Sequence, residues 1–291
     1  MTHVVYVVGP GDANEELRYS LRSLAAHFPH EEVWIAGHRP SWVSDTVGHI
    51  PLAQTRSRFQ NSTANMRAAC EHPEVAEEFV YFNDDFFVME PVDHVPVVHR
   101  GTVDEVAAVT RSSLYRRGGQ ATQLLMKRLG LAEDGPVLSY EVHAPMTIGK
   151  ARMLEVLAKG AGLPVLHKRS LYGNYWRLGG EQITDVKVHS REHGLPPGPF
   201  VSTSDDAFTH GRAGELIRKA FPDPCRYEAG HEDAEPPQVP VQAHAAPSEG
   251  PGAGRPATRA PVAEWRAWAD SQDPGDHSSM TKAELIEQYG G

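Results

Sequence analysis

The chain of 291 residues has 40% hydrophobic residues and a formal net charge of -10, so it has length for one large domain or two modest ones around a buried core. The acidic balance, with no dense Lys/Arg run, excludes a long nucleic-acid groove, which needs a positive surface to displace counterions. Cys70 and Cys225 lie outside any CxxC or Cys/His zinc spacing, which excludes a disulfide framework and leads to the expectation of reduced thiols in the cytoplasm.

The apolar run in "MTHVVYVVGPGD" is too short for a signal h-region or a membrane span, and Val4 to Val8 is expected to be a strand. "GPGD" lacks both the GxGxxG spacing and a P-loop lysine and is expected as a turn. Leu17, Leu21, Leu24 and Phe28 recur at helical spacing behind a cap at Asp12 or Asn14, with Glu15 and Glu16 in the first turn. Val33 to Ala36 is a second expected strand and "RPSWV" its exit turn. "NSTANMRAACEHPEVAEEF" is expected as helical material capped at Asn61/Ser62, running into a strand over Phe79 to Phe82.

Further strands are expected at Val106 to Thr110, Val186 to Val188 and Phe200 to Thr203, and helices at Gln120 to Leu129, Ala151 to Lys159 and Gly214 to Phe221. Alternating strands and helices predict an α/β fold: a GT-A/Rossmann-like layered domain with a mostly parallel sheet over residues 1–228. Ligands collect at the carboxyl ends of the strands in such sheets. Residues 229–263 are Pro-, Ala- and Gly-rich and are expected to form a disordered linker. Residues 264–291 carry Trp265, Trp268 and a Thr281/Glu284 capping box, and are expected as a short helical tail open to partner docking.

Asn83, Asp84 and Asp85 follow an apolar strand directly, which puts carboxylates at the sheet's carboxyl edge. One such carboxylate can ligate a hard divalent cation while the other holds water or a sugar hydroxyl; Asn-Asp is also ordinary turn chemistry. The aromatic pair Phe86-Phe87 that follows is unusual for a plain surface turn. His143, before Pro145 and an expected new helix, is a candidate proton acceptor, histidines as a class titrating near neutrality. His189 and His193 are four residues apart in "HSREHGLPPG", which is expected to be a helix end or loop rather than a metal site. Around a Gly-Gly bend, aromatics stand with Arg177, Glu181, Asp185 and Lys187; they suit a sugar-phosphate ligand or a strand pair and core equally. "FVSTSDDAF" ends a second strand in paired aspartates, Asp205 and Asp206.

In order, these segments resemble the Stealth family of sugar-phosphate transferases. "DANEELRYSLRSL" is similar to the opening of its longest signature and "RFQNSTANMRAACEHPEVAEEFVYFNDDFF" to the continuation. "HAPMTIGK" is similar to the third segment, and "FVSTSDDAFTHGRAGELIRKAFPDPCRYE" to the fourth. The chain departs from the first segment, usually V-Y-T-W-V-D-G, by having "VYVVGPGD", with Asp12 as the possible replacement, and from the fourth by Ser204 in place of Asn.

The resemblance implies transfer of a hexose-1-phosphate from a nucleotide sugar, a UDP-sugar foremost, to an acceptor hydroxyl on a glycan, lipid or protein. By matching motif positions, Asp84 and Asp85 would hold Mg²⁺ or Mn²⁺ on the donor pyrophosphate, and His143 would serve as base or transition-state partner. Arg18 would organise the first loop or touch phosphate, and Asp205 and Asp206 would complete a polar rim. The remaining donor-site candidates are Asp12, Asn61, Asn83, Arg177 and Lys187. Two rivals accompany this reading: a GT-A-type glycosyltransferase moving the sugar itself, and a non-catalytic carbohydrate-binding or virion-associated protein.

Overall fold

The computed structural model describes residues 2–132 and 135–234. The expected tail, and the expected linker from residue 235 onward, lie outside the described residues. Residues 229–234 form turns, with the Ala229 N–H donating to the Trp42 carbonyl at 2.9 Å.

The chain opens with β1 (His3–Val8), α1 (Glu15–His27), β2 (Glu32–Gly37), β3 (Gly48–Pro51), α2 (Arg58–Glu71) and β4 (Glu78–Asn83). β1 is buried at every position, which is why it reads as a continuous apolar run rather than an alternating one. β3, β2, β1 and β4 pair in parallel in that order. Gly37 closes β2 at φ +117°, and a Cβ there would stand 2.2 Å from the Val8 carbonyl oxygen, so the approach of β2 to β1 requires glycine.

After Asn83 the chain turns at Asp84-Asp85 and leaves this sheet as β5 (Phe86–Val88). There follow β6 (Val98–His99), α3 (Val103–Val109), α4 (Ser113–Arg128) and β7 (Met146–Gly149). β7 returns to the first sheet antiparallel to β4, making five strands. The chain continues through α5 (Lys150–Lys159), α6 (Lys168–Tyr175), β8 (Glu181–Gln182), β9 (Lys187–Val188), β10 (Phe200–Thr203), α7 (Asp205–His210) and α8 (Arg212–Ala220). A second sheet has the order β5-β10-β9, and β6 pairs with β8. The fold is therefore mixed α/β with a mostly parallel central sheet.

The motif "ELRYSLRS" builds the joint between the two sheets. Leu17, Leu21 and Leu24 are fully buried, and the Tyr6 and Ser20 hydroxyls meet at 2.9 Å. Ser20 also donates to the Phe86 carbonyl, and Ser23 accepts from the Val88 N–H at 3.0 Å. These serines satisfy backbone groups on β5 that burial would otherwise leave unpaired. Arg22 reaches Glu228 bidentately at 2.7 and 2.9 Å, tying α1 to the end of "FPDPCRYE".

Several expectations need correction. Val106 to Thr110 is not a strand but the end of α3 and its cap, because Thr102 and Glu105 form a capping box ahead of it; a short apolar run does not distinguish the two by periodicity. α2 starts before Asn61, capped by Ser57 with Gln60 rather than by Asn61/Ser62. A strand, β7, stands between His143 and the helix expected after it. The aromatic segment "LYGNY" belongs to α6, and α4 starts well before Gln120.

A candidate active site at the bend between two sheets

Asp84 and Asp85 occupy the two-residue passage from β4 to β5. The Asn14 side-chain amide, from the N-cap of α1, donates to Asp84 Oδ2 at 2.9 Å. Ser202 lies opposite both Phe86 on β5 and Lys187 on β9, and this register brings two donors to one carboxylate. Lys187 Nζ reaches Asp85 Oδ2 at 2.5 Å, and the Ser202 hydroxyl donates to the same atom at 2.9 Å.

The two aspartates consequently differ. Burial opposes charge on Asp85, but Lys187 beside it, with His143 and Ser202, holds its carboxyl below the ordinary range. Burial and then the Asp85 charge push the Asp84 carboxyl up, against the Asn14 hydrogen bond. Glu16, in the first turn of α1, accepts from the Thr203 hydroxyl at 2.7 Å. Burial, with smaller contributions from Asp85, Asp84 and Asp205, pushes it up to about 8. Carboxylates gathered this closely repel one another, and a cation relieves that repulsion.

A second group faces this bend. His143 Nδ1 is 2.9 Å from Asp185 Oδ2, and the His143 backbone N–H donates to Oδ1 at 3.1 Å. Arg100 Nη1 stands 3.1 Å from Asp185 Oδ2. Burial opposes the Asp185 charge, but the His143 hydrogen bonds and Arg100 hold the carboxyl well below its usual range. An ionised carboxylate only accepts, so Nδ1 carries the proton and Nε2 is left as the basic nitrogen. His189 is neighbour to this group, its imidazole pushed down by burial and then by Lys187 and His143.

The other residues singled out in the sequence are placed as follows. Asp12 accepts from the Ser41 backbone and hydroxyl at 2.8 and 2.7 Å. The Trp42 indole donates to the Asp12 and Ala13 carbonyls, and Arg18 stacks over Trp42 at 4.3 Å from the ring centroid. Arg18 also pairs with Glu15 and Glu228, so it braces the first loop. Asn61 closes the turn before α2, exchanging two 3.0 Å hydrogen bonds with the Arg56 backbone. Asn83 accepts from the Tyr81 hydroxyl. Arg177 is exposed after α6 in a left-handed conformation, φ +49°. Asp205 and Asp206 open α7 behind the Ser204 cap, and Asp206 pairs with Arg191 on the surface.

The structure thus brings Asp84, Asp85, Lys187 and His143 together and adds Asn14, Glu16, Arg100, Asp185, Ser202 and Thr203. The oxygen donors at the bend are of the kind that hard divalent cations prefer. Among the described residues, no three His, Cys, Asp or Glu side chains converge as a closed metal cage. Mg²⁺ and Mn²⁺ are cations that one or two carboxylates can hold with substrate phosphates and water completing the shell, and Asp84 and Asp85 are the residues that would do so here.

Cys70 and Cys225 are buried free thiols. Among the described residues, no helix is long and apolar enough to cross a membrane.

No family model matches the chain. An exopolysaccharide phosphotransferase of Streptomyces coelicolor is 30% identical over an alignment of 91 residues that covers 28% of this chain. The match spans 16% of that protein's length. Among solved structures, the galactosyltransferase LgtC, in complex with donor and acceptor sugar analogues, aligns with a TM-score of 0.44 at 10% identity, covering 76% of this chain and 95% of that one. The bifunctional glycosyltransferase WbbM aligns at 0.39 and 12% identity, over 77% of this chain and 44% of its own. The chain is thus similar over a short stretch to a protein named as an exopolysaccharide phosphotransferase.

Proposed function

We propose that the chain is a nucleotide-sugar-dependent transferase that moves a hexose-1-phosphate to an acceptor hydroxyl. The observation that carries this reading is the convergence of the paired Asp84-Asp85 bend with a His143 whose Nδ1 is held by Asp185. The local similarity to a protein named as an exopolysaccharide phosphotransferase supports it.

In this reading the acceptor hydroxyl gives its proton to His143 Nε2 as its oxygen forms a bond to the sugar-bearing phosphorus. The phosphoanhydride bond breaks, and the nucleoside monophosphate departs with the bridging oxygen. Asp185 stabilises the imidazolium that forms, and Arg100 keeps Asp185 ionised. Lys187 and Asn14 fix the two aspartates in place. Asp84 and Asp85 would hold a Mg²⁺ or Mn²⁺ ion, which would supply charge neutralisation on the pyrophosphate. Such chemistry is mostly positioning and charge neutralisation.

Calorimetric titration with UDP-, GDP- and CMP-sugars tests the donor half of this proposal. Binding that requires Mn²⁺ and is lost in Asp84→Ala/Asp85→Ala supports it; cation-independent binding or none contradicts it.

A further inference from the structure

Arg111, Arg116, Arg117, Lys127 and Arg128 fall in a stretch, Arg111 to Ala132, that contains no carboxylate, in a chain of net charge -10. All five are exposed, and among the described residues none of them is ion-paired. They lie on or beside α4, which turns Gly118, Gly119, Thr122 and Met126 inward. Gly118 packs so closely that a Cβ would come within 2.3 Å of Val165 Cγ1. The opposite face carries Leu114, Arg117, Ala121, Leu124 and Arg128, a spacing that lines one stripe of a helix.

Apolar residues stand among these cations. Leu114 is 46% exposed, Leu124 56%, and Val109, at the end of α3, 74%; these are three of the four exposed large hydrophobic residues among those described. Among the described residues, Asp104 and Glu105 of α3 are already engaged: Asp104 accepts from Gln123 at 3.1 Å, and Glu105 from the Thr102 N–H at 2.7 Å. A soluble polyanion would use the arginines and leave the three aliphatic side chains in water. An anionic bilayer surface satisfies both, with headgroups at the cations and acyl boundary at the aliphatics.

We propose that the outer face of α3 and α4 docks on an anionic lipid surface. The proposal is independent of the reaction assigned above, since none of these side chains belongs to the Asp84-His143 group.

Co-sedimentation of the full chain with phosphatidylcholine vesicles, with and without phosphatidylglycerol, tests it. The expected result is binding to the anionic vesicles alone, weakened by salt. Arg116→Gln/Arg117→Gln should lower the partition coefficient by about tenfold or more. Leu114→Ser/Leu124→Ser should also lower it, with thermal melting of both variants unchanged because the four side chains are exposed. Turnover of a water-soluble acceptor should be the same in both variants as in the parent chain. Absence of binding to anionic vesicles, or binding that both variants retain, overturns the proposal. So does preference for a soluble acidic polysaccharide that the Leu114→Ser/Leu124→Ser variant binds as well as the parent.

Discussion

His143 and Asp185 meet at two points: the ring Nδ1 lies 2.9 Å from Oδ2, and the His143 backbone N–H donates to Oδ1 at 3.1 Å. A carboxylate gripping both the ring and the main chain of one residue fixes the tautomer as well as the direction of Nε2. The residues come from separate loops, before β7 and before β9, so the contact is made by tertiary structure alone.

Replacing Asp185 tests that arrangement. Asp185→Asn should lower kcat by on the order of 10²-fold with donor KM little changed, because the amide cannot stabilise an imidazolium. A pH-rate profile should lose its acid limb or move it; an unchanged profile with unchanged kcat contradicts the assigned role.

Lys187 and Asp85 form a largely buried ion pair, with side chains 11% and 13% exposed. Removing one partner strands the other, so Lys187→Met should destabilise the fold by about 3 kcal/mol in urea denaturation. Lys187→Met/Asp85→Asn should recover much of that loss while remaining inactive. A loss in the double variant equal to the sum of the losses in Lys187→Met and Asp85→Asn would show that the pair is not coupled.

Glu228 accepts from Arg22 at 2.7 and 2.9 Å and from the Cys225 N–H at 3.0 Å. Glu228→Gln should cost about 3 kcal/mol of stability, since it leaves a buried guanidinium without its counter-charge. Calorimetric melting should show a lower Tm, and kcat of the surviving folded enzyme should change little.

Burial, against its hydrogen bond to the Phe28 carbonyl, pushes the His30 imidazole down to about 4. The neutral ring is thus favoured in the folded state, and the unfolded chain binds more protons between pH 4 and the ordinary histidine value near 6.5. This contribution is fully present above that ordinary value and is lost as pH falls through the window, by about 3 kcal/mol. His30→Gln should flatten the acid limb of a stability-versus-pH curve; a limb of undiminished slope would contradict the assignment.

Val4 to Val8 and Phe79 to Phe82 could be read from sequence because they are buried and carry unbroken apolar runs, and Phe200 to Thr203 also forms a strand. Asp84 and Asp85 stood out for the same reason, as charges ending such a run. Asp185 and Lys187 were visible only as charges around a glycine bend, since a register between β9 and β10 cannot be seen in one chain. Ser202 was hidden as one small residue in an apolar strand, and Asn14 read only as a helix cap, though it performs that task and also holds Asp84. For Arg18 the expectation is that it organises the first loop or touches phosphate, and its guanidinium has Glu15, Glu228 and Trp42 as partners. α3 was misread because its capping box, Thr102 with Glu105, carries the signal that its short apolar run lacks.

The most direct test of the transferase reading is to identify the nucleotide that leaves. Purified protein is incubated with a UDP-sugar, Mn²⁺ and a panel of hydroxyl acceptors, and the nucleotides are resolved by chromatography beside an Asp84→Ala/Asp85→Ala control. The account predicts UMP, formed only with a competent acceptor and absent in the control. Release of UDP would contradict sugar-phosphate transfer and assign the same site to glycosyl transfer.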